Sequence, residues 1–204
     1  MSGCCDNDCS LDALRERQRG TLLMVLGINA VMFLAIGGAA LYGQSTALLA
    51  DSLDNLGDAV TYGLSLYAVS RGSSAKAKVA LFKGGLIFLA ACVVAAQLAY
   101  RLFVPGHPVF EVMGMFGVLG LAANGLCLGL LWRHRRDDVN MSSVWECSRN
   151  DIASNLAVIM AAGAVWLTGS AWPDILIALG LVALLLRSAI RVIASALVVL
   201  RTAS

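Results

Sequence analysis

Two pairs of acidic or thiol side chains interrupt stretches that are otherwise apolar: Asp54 with Asp58, and Cys147 with Asp151. Each pair is spaced i, i+4, so on a helix both side chains leave one face, about 6 Å apart along the axis. A carboxylate near the centre of a bilayer costs roughly 2.5–3.5 kcal/mol even on lenient scales. Three carboxylates and a thiol at membrane depth therefore need something to hold, and a divalent cation is what such a set can hold. Four ligands from two helices suit a tetrahedral ion of the Zn²⁺ kind, which accepts thiolate and carboxylate. The thiol favours softer ions such as Zn²⁺ or Cd²⁺ over Mg²⁺ or Ca²⁺, and Co²⁺ and Pb²⁺ remain open. With all four groups ionised, the charge would far exceed that of a divalent ion. The site is expected to hold protons and to release some when metal binds, which gives a physical basis for exchanging metal against protons.

The elements that carry these residues read as membrane spans. The chain has 204 residues, of which 14% are charged, and a mean hydropathy of +0.78, which excludes an ordinary soluble domain. Apolar runs at 21–43, 46–70, 79–104, 109–133, 143–169 and 172–198 are each near the ~20 residues a bilayer core requires. Short connections with breakers separate them: Gly43-Gln44-Ser45, Gly72-Ser73-Ser74, Pro105-Gly106-His107-Pro108 and Trp172-Pro173. The fold class expected is all-α, a polytopic membrane protein of six transmembrane helices. A Cys/Asp-containing tail at 1–20 precedes one transport domain at 21–200, with no cytoplasmic domain after it and no signal peptide before it.

Basic residues fall on alternate sides. Arg15, Arg17 and Arg19 precede span 1; Arg71, Lys76 and Lys78 join spans 2 and 3; Arg133, Arg135 and Arg136 join spans 4 and 5; Arg191 and Arg201 close the chain. The opposite loops carry only Arg101 at their margin. By the positive-inside rule both termini are cytoplasmic. Entering from outside, span 2 places Asp54 and Asp58 about 12–18 Å deep; span 5, entering from inside, places Cys147 and Asp151 about 6–12 Å in. The pairs approach a common level, with Asp54 expected nearest Asp151 and Asp58 nearest Cys147.

The bland alternative, that these acids cap helices or pair with bases, suits Asp51 near the outer end of span 2. It does not suit Asp54 or Asp58, because span 2 has no Lys or Arg before Arg71. Arg149, two residues from Asp151, points elsewhere on a helix and is expected to face Glu146, Asp137 or Asp138. Asn155 continues the Asp151 face by a turn, and Asn29 and Asn124 are amides at membrane depth that need partners. Helix–helix hydrogen bonding is the ordinary role for Asn29, Asp51, Asn124 and Asn155; steadying the metal ligands is the sharper one. Cys4, Cys5 and Cys9, with Asp6 and Asp8, make a soft acidic arm, either a low-affinity metal-capturing segment or a tail without a role. Cys92 and Cys127 read as small buried hydrophobes. Neither His107 nor His134 is expected to be a ligand.

With these residues in place, the chain resembles the cation diffusion facilitator family of proton-coupled divalent-metal exporters over nearly all of residues 20–200. The specific likeness lies in "STALLADSLDNLGDAV" of span 2 and "CSRNDIASNLAVI" of span 5. The family pattern is His or Asp followed four residues later by Asp in span 2, and His followed four residues later by Asp in span 5. The positions here read Asp54, Asp58, Cys147 and Asp151, and the cysteine is a departure that bears on metal preference. The resemblance implies that spans 1, 2, 4 and 5 surround the metal while spans 3 and 6 pair beside it. It also implies a homodimer, here through helices 3 and 6, where Gly84, Gly85, Ala90, Ala91 and Ala95 offer close-packing positions. No cytoplasmic ferredoxin-like domain of the kind many members carry is expected after span 6, and the sequence shows neither a histidine-rich loop between spans 4 and 5 nor an acid at the end of span 6.

The function expected is export of a Zn/Cd-type cation by metal/proton antiport in a bacterial inner membrane. No cofactor, enzymatic activity or nucleic-acid partner is expected; the partners are divalent ions, protons and the lipid bilayer. A metal uniporter and a metal-binding accessory or sensor protein are the alternatives. An intramembrane aspartyl protease is remote, because its Gly-x-Gly-Asp motif meets Asn55 at the first glycine and no Tyr-Asp occurs.

Overall fold

The structure, a computed structural model, describes the backbone of residues 4–68, 73–104, 106–133 and 139–202. It describes the side chains of 19–64, 66, 78, 81–104, 106–133, 145, 148–198 and 200–201. Six helices follow one another: α1 (Cys4–Tyr42), α2 (Thr46–Ala68), α3 (Ser73–Phe103), α4 (Phe110–Trp132), α5 (Val139–Thr168) and α6 (Trp172–Thr202). Five of them contain a segment long and apolar enough to cross a membrane; α2 is the exception. Its three aspartates, Asp51, Asp54 and Asp58, explain why.

The helices pack as the resemblance implied. α1 lies along α2, α4 along α5, and α3 along α6, while α2 touches every other helix. The α3–α6 pair meets the rest through α2 and α5. The acid-bearing helix is thus the most enclosed by neighbours, which is how a chain can keep three carboxylates away from lipid.

Several spans begin earlier than their apolar runs. α5 starts at Val139, not 143, and α1 runs back to Cys4, because a helix can continue past the bilayer without hydrophobic residues once its spanning part has nucleated it.

The end holding the α1–α2, α3–α4 and α5–α6 connections, the outer end by the arginine distribution, is stitched together. Gln44 turns the chain at φ 51°, and the Gly43 and Ser45 amides bond back to the Ala39 and Ala40 carbonyls, closing α1 in a left-handed cap. The Val109 amide donates to the Gly43 carbonyl, joining the α3–α4 connection to the α1–α2 turn. Gly169, at φ 61°, ends α5 in the same way, its amide bonding to the Val165 carbonyl. Such a φ suits glycine, which has no Cβ to clash.

Besides a small α3–α6 cluster of Ile87, Ala91, Leu185 and Ala189, apolar packing among the described residues falls into two layers. The larger cluster joins Ile36 and Ala40 of α1, Leu48 of α2, Met113 of α4, Val158 of α5 and Leu181 of α6 in the outer half. The smaller one joins Leu22 and Val25 of α1, Tyr62 of α2, and Cys127 and Leu131 of α4 in the inner half. Large apolar side chains cover the outside, among them Leu34, Leu41, Phe88, Met160 and Leu184. An apolar surface of this extent suits a hydrocarbon environment rather than water. Tyr42, Phe103, Trp166 and Trp172 lie exposed at the outer end and Trp132 at the inner end, where amphipathic aromatic rings settle at membrane interfaces.

The small residues of α3 divide between two roles. Gly84 is pressed against Ile193 of α6 and Ala91 packs with Leu185 and Ala189 of α6, so these two positions let α6 approach within one chain; Ala90 is buried too. Gly85 and Ala95 face outward. Cys92 departs from the expected burial and is exposed, because the packed face of α3 is the one carrying Ile87, Ala91, Val94 and Leu98.

Candidate metal site

Between the two apolar layers lies a polar one. Asp51, Asn55 and Asp58 of α2, Ser148, Asp151 and Asn155 of α5, Asn29 of α1 and Asn124 of α4 are all buried there. Their spacing follows from helical periodicity: Asp51, Asn55 and Asp58 fall at i, i+4 and i+7, and Ser148, Asp151 and Asn155 at i, i+3 and i+7. Two polar faces therefore meet where α2 crosses α5.

The faces come together at Asp58 and Asp151, which lie close enough to act on each other directly. Asp54, half-buried, and Asp51 also act on Asp151 electrostatically, each less than Asp58 does. This corrects the expected pairing, in which Asp54 stood nearest Asp151. Counted from the outer end, where α2 begins at Thr46 and α5 ends at Thr168, Asp54 lies eight residues in, Asp58 twelve and Asp151 seventeen, so Asp58 is the nearer in depth.

Around this contact each polar group is held by its own helix. The Tyr62 hydroxyl donates to Asp58 Oδ2 at 2.9 Å. The Asn55 amide donates to the Asp51 carbonyl and the Asn155 amide to the Asp151 carbonyl, both at 2.8 Å. These bonds fix each side-chain amide with its oxygen turned away from the donor side. Asn155 Oδ1, Asn29 Oδ1 and Asp51 Oδ2 are buried without a hydrogen-bond partner. Buried orphan acceptors are uncommon and call for a proton donor or a cation. Room for the Asn155 amide comes from Gly120 of α4, where a Cβ would collide with Asn155 Oδ1.

Asp51 does not cap α2. Ser45 does so, its Oγ accepting from the Leu48 amide at 3.1 Å. Asp174 of α6 completes the cap across the bundle, accepting from Ser45 Oγ at 2.5 Å, the Thr46 amide at 2.8 Å and the Ala47 amide at 3.1 Å. A carboxylate at a helix N-terminus satisfies orphan amides and complements the helix dipole. Arg149 stacks over the Trp145 ring at 5.4 Å; the acids once expected to face it lie outside the described side chains.

Of the four expected ligands, the structure brings Asp58 and Asp151 together, with Asp54 beside them. The side chain of Cys147 lies outside the described residues, as do those of Cys4, Cys5 and Cys9 and the whole of His134. Among the described residues no three His, Cys, Asp or Glu side chains stand close enough to hold one ion together. Asn124 is buried in α4 on the stripe that also carries Gly120 and Cys127. His107 lines a cavity of about 290 Å³ at the outer end, with Gln44, Arg101 and Asp174. Cys127 is buried in the inner apolar cluster, as expected, and its thiol accepts from Asn29 Nδ2 at 3.8 Å.

Comparison with known proteins agrees with this architecture. Residues 22–201 match the profile of the cation efflux transmembrane domain. An uncharacterized transporter of Synechocystis sp. is 30% identical over 166 residues, covering 74% of this chain and 53% of that protein. The chain thus spans about half the length of the curated relative it matches. An all-α, multi-pass membrane bundle with its buried acids on α2 and α5, matched over residues 22–201, belongs to the cation efflux family.

Proposed function

We propose that this protein transports a soft divalent cation, of the Zn²⁺ or Cd²⁺ kind, out of the cytoplasm in exchange for protons. The ligands are Asp54 and Asp58 from α2 and Cys147 and Asp151 from α5; Asn155 steadies the Asp151 turn. The observation that carries this reading is the meeting of Asp58 and Asp151 in a polar layer closed by apolar packing on both sides. Two carboxyl groups buried side by side cannot both stay ionised, so the empty site keeps a proton on one of them. A divalent ion bridging the same oxygens must displace that proton, so ion and proton occupy the site in turn. Alternating access then requires only that the outer and inner apolar layers open one at a time. Cysteine in place of the family's histidine favours the softer ions.

The test is metal uptake into proteoliposomes across a panel of Zn²⁺, Cd²⁺, Co²⁺ and Pb²⁺ with internal pH recorded together. Metal movement accompanied by opposite proton movement is expected. Asp58→Ala and Asp151→Ala should each reduce flux to background while the protein remains folded in the membrane, because each removes a ligand and no packing group. Wild-type flux in either purified variant would remove the central site from this reading. Flux without proton movement would make the protein a uniporter.

A further inference from the structure

The outer end of the bundle holds a cavity of about 290 Å³ that the transport reading does not use. It opens where the α1–α2, α3–α4 and α5–α6 connections meet. Its size lies at the lower edge of the roughly 300–1,000 Å³ typical of ligand pockets. Arg101, in the last turn of α3, lines it. The chain gives this guanidinium little to hold: Nη1 donates to Gln44 Oε1 at 3.2 Å, and Nε is buried without a partner. Among the described residues Arg101 makes no ion pair. Asp174 lines the same cavity, but both its oxygens are committed to Ser45, Thr46 and Ala47, and the positive end of α2 offsets its charge. Gly106 makes room for the guanidinium, since a Cβ there would collide with Nη1. His107 and Ser170 add an imidazole and a hydroxyl to the lining. Ser170 Oγ accepts from the Trp172 amide at 3.3 Å, which leaves its proton free to donate.

We propose that this cavity binds a phosphate group, with the Arg101 guanidinium as its anchor and His107 and Ser170 as further donors. A guanidinium presents its N–H groups as a planar fork that matches two phosphate oxygens, and a bond between ionised partners is about twice as strong as a neutral one. The phosphate takes N–H groups that Gln44 leaves unused. Two sources can supply it: a free phosphate ion, or the headgroup of a phospholipid in the outer leaflet. The surroundings favour the lipid. Leu102 and Trp172 line the cavity beside the polar groups. Phe103 and Leu176, next in the chain to the lining Leu102 and Ile175, are exposed, an apolar margin on which acyl chains can lie. The exposed Tyr42, Trp166 and Trp172 set this end at headgroup depth, where amphipathic rings settle. A lipid held here ties the end of α3 to the α5–α6 connection, beside the point where Asp174 tethers α2.

The experiment uses the full chain in mild detergent, stripped of lipid, with phosphatidylglycerol or inorganic phosphate alone as the probe. Native mass spectrometry reads what stays bound. The wild type is expected to retain phosphatidylglycerol saturably. Arg101→Gln should raise the half-saturating lipid concentration on the order of 10-fold, as loss of a charge-assisted hydrogen bond does. Arg191→Gln, at the inner end, should leave it unchanged. Gly106→Ala keeps the charge but displaces the guanidinium, so it should weaken binding too; it takes the place of Arg101→Gln should that variant not fold. Retention of inorganic phosphate that is lost in Arg101→Gln would support the site with the free ion as its occupant. A wild type that retains neither probe would overturn the proposal. So would binding that is unchanged in Arg101→Gln and Gly106→Ala, or weakened equally in Arg191→Gln.

Discussion

At the scale of single residues, the carboxylates were legible and their neighbours were not. An aspartate inside an apolar run announces itself by its cost, so Asp54, Asp58 and Asp151 could be read from spacing alone. A cysteine in the same setting costs nothing and reads as packing, and Cys127 is packed in the inner apolar cluster. The order of contacts was misread for a geometric reason. Depth counted from the inner start of span 5 leaves out how far the helix runs beyond Asp151: seventeen residues separate it from Thr168, which sets it below Asp54 and nearer Asp58. The cysteine of span 5 carries the sharpest residue-level expectation. Cys147→His should keep transport and move preference from Cd²⁺ toward Zn²⁺, because imidazole is the harder donor and matches the family pattern. Flux for each ion in the same liposome panel measures it; a Cys147→Ala variant with an unaltered Cd²⁺ to Zn²⁺ ratio would leave no role for that thiol.

At the scale of helices, apolar runs located all six spans, though α2 is the weakest of them. α2 falls short of the apolar standard because it carries Asp51, Asp54 and Asp58, so its place in the membrane depends on neighbours that enclose it. What no local pattern could reveal is how α2 is held at its outer end. Asp174 is 129 positions from Ser45 in the chain, and from sequence it is only an acid in the first turn of α6. In the fold it is buried and accepts three bonds from the start of α2, with Arg101 acting on it and bonding to Gln44 at 3.2 Å. Asp174→Ala leaves the Thr46 and Ala47 amides without their acceptor. Such buried losses cost about 1–3 kcal/mol, so a clear fall in the thermal midpoint of helix loss in detergent is expected. Asp174→Asn, which keeps one acceptor oxygen, should lie between alanine and wild type. An alanine variant that melts with wild type would mean that water replaces the carboxylate fully and that the outer end of α2 needs no tether.

At the scale of the whole molecule, the pathway and the lipid-facing surface make separate demands. The segment before Arg19 is polar, with Asp6, Asp8, Asp12, Arg15, Glu16 and Arg17, and is not expected to line the route across the bilayer. Deleting residues 2–10 should therefore preserve maximal flux and at most raise the metal concentration needed for half-maximal uptake; complete loss of flux in a normally inserted truncation would show the segment to be part of the transport cycle. The outer faces of α3 and α6 raise the question of a second copy. Gly84 and Ala91 are already used to seat α6 against α3, which leaves Gly85 and Ala95, flanked by Phe82, Phe88 and Leu89, facing outward. Small residues beside large apolar ones let helix backbones approach and interlock in a bilayer, where close packing drives association. α6 continues as one helix to Thr202 with Arg187, Arg191 and Arg201 exposed, so its inner end can hold its depth by directing these side chains to headgroups. The expectation is a homodimer joined through α3 and α6, leaving α1, α2, α4 and α5 of each copy free to rearrange around its own ion. Single cysteines placed along α3 and α6 in a cysteine-free background should crosslink in native membranes at Gly85 and Ala95 and not at Gly84, which is covered by Ile193. Crosslinks confined to α1 or α4, or a monomer in nanodiscs and in several mild detergents, would assign this face to lipid.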